Sequence, residues 1–318
     1  MKNDVFGIGN ILVDILIKTD DKFIEELGLK KGHSNDIDEF KLREIAAKID
    51  NSKVKMSPGG SVVNTLAGIA NLGGVVGFYG KIGNDKHGLF LEEDLKKSNI
   101  LSNIRRSEKM TGKALTFITP DNERTFAVHL GAAIDLNKEE ILEDDIKKSK
   151  FVHLTGYEIE SSRDFCLHVM DIAKKNKVKI SIDLADPGVI KRNPELKSII
   201  KNADIIFLNE EEAKALTNLP AEKAIENISN DIGTVAIKLG EKGSLIRHNN
   251  KVIRINGIKA KAVDTTGAGD MYAACILYGI SKGWGIEKSA NLASFAAAKV
   301  VEQIGARLNY SLREKVEF

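Results

Sequence analysis

Short apolar runs alternate with helix-period segments along this chain, and that alternation constrains the fold more than any other feature. Parallel strands need a long crossover between them and a helix supplies it, so the pattern selects an α/β architecture with a mainly parallel central sheet flanked by helices. Residues 5–9, 75–81, 151–154, 179–183, 204–208 and 235–239 read as strands. Residues 62–72 and 164–175 read as helices, the second with Phe165, Val169, Ile172 and Ala173 on one face. From Ala268 to Gln303 the alanine-rich sequence reads as two helices broken at residues 283–285.

Two segments break the rhythm. Residues 11–18 read as a second strand directly after the first, and residues 113–119 with 125–130 read as a hairpin turning at 120–122. These extra strands are expected to meet as a small separate sheet, a lid hinged over the carboxyl ends of the main strands. The 318 residues suffice for about two domains. The expected division is a large domain of residues 1–10, 57–105 and 134–318, and a discontinuous lid of 11–56 and 106–133.

Forty-seven basic against forty-five acidic side chains leave a charge of +2 with no massed basic block, which argues against a nucleic-acid partner. Cys166 and Cys275 have neither disulfide-framework nor zinc spacing. No apolar run approaches the roughly 18 residues a membrane span needs, and the first residues do not resemble a signal peptide. A cytoplasmic protein is expected.

The most specific segment is Asp264-Thr265-Thr266-Gly267-Ala268-Gly269-Asp270, followed by a helix. Glycines ahead of a helix let backbone N–H groups converge on an anion, and Asp270 in the first turn can deprotonate a hydroxyl aimed at it. An ordinary glycine turn with a helix-start acid is the bland alternative, which the full seven-residue string disfavours. Neither Gly80-Lys81 nor Gly112-Lys113 is followed by the Ser or Thr of a Walker loop, and Gly7-Ile8-Gly9 lacks the third glycine of a dinucleotide fingerprint.

The DTTGAGD string resembles the C-terminal signature of the ribokinase-like (PfkB-type) carbohydrate and nucleoside kinases. Pro58-Gly59-Gly60-Ser61-Val62-Val63-Asn64, with Gly80-Lys81-Ile82-Gly83-Asn84-Asp85 after it, resembles the N-terminal signature. Asn209-Glu210-Glu211-Glu212 resembles the NxxE element, and Lys238-Leu239-Gly240-Glu241-Lys242-Gly243 the nucleotide-side strand and turn. The resemblance implies a ribokinase-like fold and an ATP-dependent phosphotransferase.

It implies Asp270 as the base, with Gly267, Ala268 and Gly269 as the anion hole. Asn10, Asp14, Gly59, Gly60, Ser61 and Asn64 would bind the acceptor. Arg124 would fold from the lid onto phosphate, or be an ordinary surface arginine. Asn209 and Glu212 would meet Mg²⁺ through water, Lys238, Gly240 and Gly243 would line the nucleotide, and Asp264 would hold a monovalent cation such as K⁺. Asn10 and Asp14, four apart, are expected on one strand face about 13 Å apart, so that joint contact needs a bend; for Asn10 a turn role is the alternative.

The residue after the paired glycines, Ser61, is more like the bacterial adenosine-kinase branch, where it lies near the purine. Adenosine, phosphorylated on its 5′-hydroxyl, is therefore the expected acceptor. A sugar or sugar-acid kinase (ribose, fructose, 2-keto-3-deoxygluconate) and a non-catalytic ligand-binding relative remain as alternatives. The protein is expected as a monomer, or as a homodimer paired through the lid sheet.

Overall fold

The computed structural model describes residues 2–50, 54–121 and 123–313. Asn122 of the expected hairpin turn, and residues 1, 51–53 and 314–318 of the expected domains, lie outside them.

The main sheet has strands β1 (Asn3–Ile8), β5 (Val76–Gly83), β6 (Leu101–Ser107), β9 (Ser149–Thr155), β10 (Lys179–Asp183), β11 (Ile205–Asn209), β12 (Thr234–Lys238), β13 (Ser244–His248) and β14 (Lys251–Ile255). Its order is β6-β5-β1-β9-β10-β11-β12-β13-β14. Pairing is parallel from β6 to β12 and antiparallel for β13 and β14. Alternate residues of its strands bury into two apolar cores. In β11, Ile206 and Leu208 join one, and Ile205 and Phe207 the other. Covering both faces is what lets parallel strands read as near-continuous apolar runs.

The second sheet consists of β2 (Leu12–Lys18), β3 (Ser34–Asp36), β4 (Val54–Gly59), β7 (Lys113–Ile118) and β8 (Arg124–His129), ordered β3-β8-β7-β2-β4. The two segments that interrupted the alternation do meet: β2 lies parallel to β7, with Asp14 beside Ala114. Ile17, Leu115 and Phe117 bury one face of this sheet against Ile24, Leu42 and Ile45 of the helices Asp21–Glu26 and Glu39–Lys48. β3 is a three-residue edge strand parallel to β8, with Ser34 beside Phe126. The boundaries expected at 57 and 106 fall inside β4 and β6.

One expectation is corrected here. Asn10 and Asp14 do not share a strand. β1 ends at Ile8 and β2 begins at Leu12, so Asn10 lies in the short crossing from the main sheet to the second one. The crossing is pinned because the Asn10 backbone N–H donates to Glu158 Oε1 at 2.8 Å. The bend that joint contact required is this change of sheet.

Candidate active site

From β1 the chain works outward through β5 and β6, and from β9 it works outward the other way, so the order reverses between β1 and β9. Ligands of open α/β sheets bind at the carboxyl ends of the strands beside such a switch point. Asn10 follows β1, Glu158 follows β9, and Asp183, Asn209 and Lys238 end β10, β11 and β12.

At one end of this cleft two helix N-termini meet. Ser61 and Asn64 lie in the first turn of the helix Ser61–Asn71, and Asp270 in that of Ala268–Ser281. Ser61 Oγ donates to Asp270 Oδ1 at 2.7 Å, and Asn64 Nδ2 donates to Oδ2 at 3.0 Å. Burial raises the Asp270 carboxyl to about 6, against the pull of these two hydrogen bonds. Ser61, expected near a purine, is thus a neighbour of Asp270.

Asp14 faces the same place from β2. Burial raises its carboxyl to about 7, with Arg307 drawing it down and Asp270 pushing it up. Gly59 lies against Asp14, while a Cβ on Gly60, at φ 109°, would stand 2.3 Å from the Asn10 carbonyl oxygen. The Asn10 Oδ1 atom is buried without a hydrogen-bond partner. Sequence reasoning missed Arg307, whose Nε donates to Asn64 Oδ1 at 2.9 Å and whose Nη1 donates to Asp94 Oδ2 at 2.6 Å. This fixes the Asn64 amide with its NH₂ toward Asp270.

The other end of the cleft is built around Lys238. Its Nζ donates to Asp183 Oδ2 at 2.7 Å and would stand 3.1 Å from a Cβ on Gly269. Burial opposes its charge, but Asp183, Glu212 and Asp270 together raise its pKa. The Tyr157 hydroxyl, also missed from sequence, is raised by desolvation and by Asp186, Asp270, Glu212 and Asp183, while the residue as a whole stays 42% exposed. Gly267 takes φ 78°, and its missing Cβ makes room for the Ala306 backbone. Its left-handed turn leads directly into the helix Ala268–Ser281.

Three predicted sites look different in three dimensions. Asn209 and Glu212 form a reciprocal capping box: Asn209 Oδ1 accepts from the Glu212 N–H at 2.8 Å, and Glu212 Oε2 from the Asn209 N–H at 2.8 Å. Asn209 Nδ2 also donates to Glu212 Oε1. Glu212 is buried and its pKa raised by desolvation. Among the described residues no cluster of three or more metal-binding side chains exists; Asn209 and Glu212, whose oxygens already bond each other's groups, would meet Mg²⁺ only through its waters. Gly243 serves the turn into β13, where its missing Cβ clears the Ile255 carbonyl, and Gly240 is exposed just past Lys238.

Asp264 does not fit a monovalent cation. Its Oδ1 accepts from Arg124 Nη2 at 2.9 Å, from the Thr266 N–H at 2.9 Å and from Thr266 Oγ1 at 2.7 Å, while Oδ2 accepts from the Gly305 N–H at 3.0 Å. Three donors crowd Oδ1 and the Gly305 N–H takes one side of Oδ2, so at most one lone-pair site of the carboxylate is left for a further partner while Arg124 is in place. Arg124, expected on phosphate, is instead the cation at Asp264.

A cleft at a topological switch point, with a carboxylate at a helix N-terminus and a lysine opposite, is the equipment of a phosphoryl-transfer enzyme. The sequence pattern of the pfkB family carbohydrate kinases matches residues 29–312. The chain is 31% identical over 242 residues to an "uncharacterized sugar kinase" of Archaeoglobus fulgidus, covering 76% of this chain and 96% of that one. It is 30% identical over 262 residues to a 5-dehydro-2-deoxygluconokinase of Listeria innocua, covering 77% and 81%. The solved structure of adenosine kinase from Sinorhizobium meliloti superposes with a TM-score of 0.90 at 31% identity, covering 99% of this chain and 98% of that one. The chain belongs to the pfkB family of carbohydrate kinases and is a phosphotransferase acting on hydroxyl groups.

Proposed function

We propose that this kinase transfers the γ-phosphoryl group of ATP to the 5′-hydroxyl of adenosine. The observation that carries the reading is the charge of the acceptor end. Asp14 and Asp270 face it together, and Arg307 nearby is engaged through Nε with Asn64 and through Nη1 with Asp94, with Nη2 alone left unpartnered. Such a site accepts hydrogen bonds from neutral vicinal hydroxyls and repels a carboxylate, which counts against a sugar acid such as that named for the Listeria relative. The full-length likeness to an adenosine kinase favours a nucleoside among neutral acceptors.

In the proposed mechanism Asp14 accepts hydrogen bonds from the ribose hydroxyls, with the unpartnered Asn10 Oδ1 as a further acceptor. The 5′-oxygen approaches Asp270, attacks the γ-phosphorus in line, and gives up its proton to the carboxylate. The bond to the bridging oxygen breaks and ADP leaves with the electron pair. Lys238 and the amides of 267–269 neutralise charge on the transferred group. Asn209 and Glu212 would hold Mg²⁺ through its waters, and the ion would neutralise charge on the triphosphate. The second sheet, with its flanking segments 11–56 and 106–133, acts as the lid that keeps water out.

ADP release is measured with Mg·ATP across adenosine, inosine, 2′-deoxyadenosine, ribose, fructose and 2-keto-3-deoxygluconate. Turnover on adenosine that falls sharply with 2′-deoxyadenosine supports the reading. Turnover confined to free sugars transfers the same mechanism to a sugar kinase, the reading that the named sequence relatives favour.

A further inference from the structure

Arg124 lies on β8 in the second sheet, 140 positions before Asp264, and joins that sheet to the glycine-rich loop of the main domain. Its Nη1 donates to Thr266 Oγ1 at 2.8 Å and its Nη2 to Asp264 Oδ1 at 2.9 Å. The Asp264 side chain is only 10% exposed, so its charge needs a partner. The same carboxylate accepts from the Gly305 N–H, and Ala306 packs where a side chain on Gly267 would stand. One guanidinium therefore anchors the Asp264–Thr266 loop directly, and the Asp264 carboxylate in turn holds Gly305. Burial alone would raise the Asp264 carboxyl, but its bonds to Thr266, Arg124 and Gly305 hold it down to about 2, so the carboxylate stays ionised at neutral pH.

We propose that Arg124 is a built-in cation for the Asp264–Thr266 loop, a positioning residue that makes phosphoryl transfer independent of alkali-metal ions and ties the anion hole to closure of the second sheet. A loop held this way needs no ion from solution. When the sheet lifts, Asp264 loses its cation and the loop its anchor. The inference rests on the chain's being a kinase, and the choice of acceptor does not enter it.

Wild-type and Arg124→Ala proteins are compared in potassium chloride and in N-methylglucamine chloride at equal ionic strength, reading thermal melting and ADP formation. The wild type should melt at one temperature and turn over at one rate in both salts. Arg124→Ala should lose about tenfold or more in kcat without potassium, more than it changes the KM for ATP, and regain part of it saturably as potassium is added. Arg124→Lys, which keeps a charge, should stay insensitive to potassium. Saturable potassium activation or stabilisation of the wild type overturns the proposal. So does a folded Arg124→Ala protein that is either unimpaired or does not respond to potassium. The melting arm needs no acceptor, so it remains readable if adenosine is the wrong substrate; should Arg124→Ala not fold, the wild-type and Arg124→Lys arms decide.

Discussion

A Cβ on Gly59 would stand 2.4 Å from the carboxyl carbon and from both carboxylate oxygens of Asp14. β4 and β2 are antiparallel, with Leu12 opposite Gly59 and Asp14 opposite Ser57, so the Asp14 side chain leans over the glycine. No L side chain fits there while Asp14 keeps its place. Gly59→Ala should swing the carboxylate away and raise the KM for the acceptor about tenfold or more, with the KM for ATP nearly unchanged. Steady-state kinetics with each substrate varied in turn checks it; equal increases in both KM values would place Gly59 outside the acceptor site.

Asp270 works as a base only when ionised, so kcat should fall as pH drops through about 6. The Ser61 hydrogen bond favours the ionised form. Ser61→Ala removes it and should move this acid limb to higher pH, by about one unit or less. A limb that stays in place would show that Ser61 does not bear on the base. Asp270→Asn should lower kcat by about 10² to 10⁴ while the protein still folds and binds ATP.

What was legible in the sequence follows from burial. The central strands of the main sheet are covered on both faces, so their apolar runs stand out, and Lys179–Asp183 is found at its expected bounds. The strands that escaped notice include the edges of both sheets: β6 and β14 in one, β3 and β4 in the other. Edge strands are short, polar or proline-bearing, as Ser34-Asn35-Asp36 and the Pro58-containing β4 are, because only one of their sides is paired. In the site, Glu158 carried a local signal, the Thr155-x-x-Glu158 spacing of a capping box, and the structure closes that box. Asp183 could have been suspected as an acid ending a strand. Arg307 left no such trace, since its bonds to Asn64 and Asp94 span more than two hundred residues and exist only once the C-terminal segment has packed.

Asn209 and Glu212 resemble a metal element in sequence and form a helix cap in the structure, and the two roles separate experimentally. Asn209→Ala removes the acceptor for the Glu212 N–H and should cost about 1 kcal/mol of stability. Asn209→Ser keeps a capping oxygen and should restore most of that, as read by denaturant titration. If Asn209 also meets the waters of Mg²⁺, Asn209→Ser will still raise the KM for Mg·ATP. A serine variant with wild-type stability and wild-type KM would leave the pair with the cap alone.

Asp14 gives a stability that falls with pH. Its folded pKa of about 7 lies above the ordinary 3.8, so the native state holds this proton more tightly than the unfolded chain does. Near pH 4 and below, the carboxyl is neutral in both states and its burial is not penalised. As pH rises toward 7 the unfolded chain releases the proton first, and stability is lost progressively; above about 7 the whole penalty is present. Asp14→Asn removes it. The variant should therefore be more stable than the wild type at pH 8, by up to about 4 kcal/mol, with the advantage shrinking toward pH 5. It should also lose about a hundredfold or more in kcat/KM for the acceptor, since an amide offers fewer acceptors to the hydroxyls. A variant less stable than the wild type at pH 8 would mean that the ionised carboxylate is satisfied in the unliganded site. The strain assigned to it as a waiting hydroxyl acceptor would then be absent.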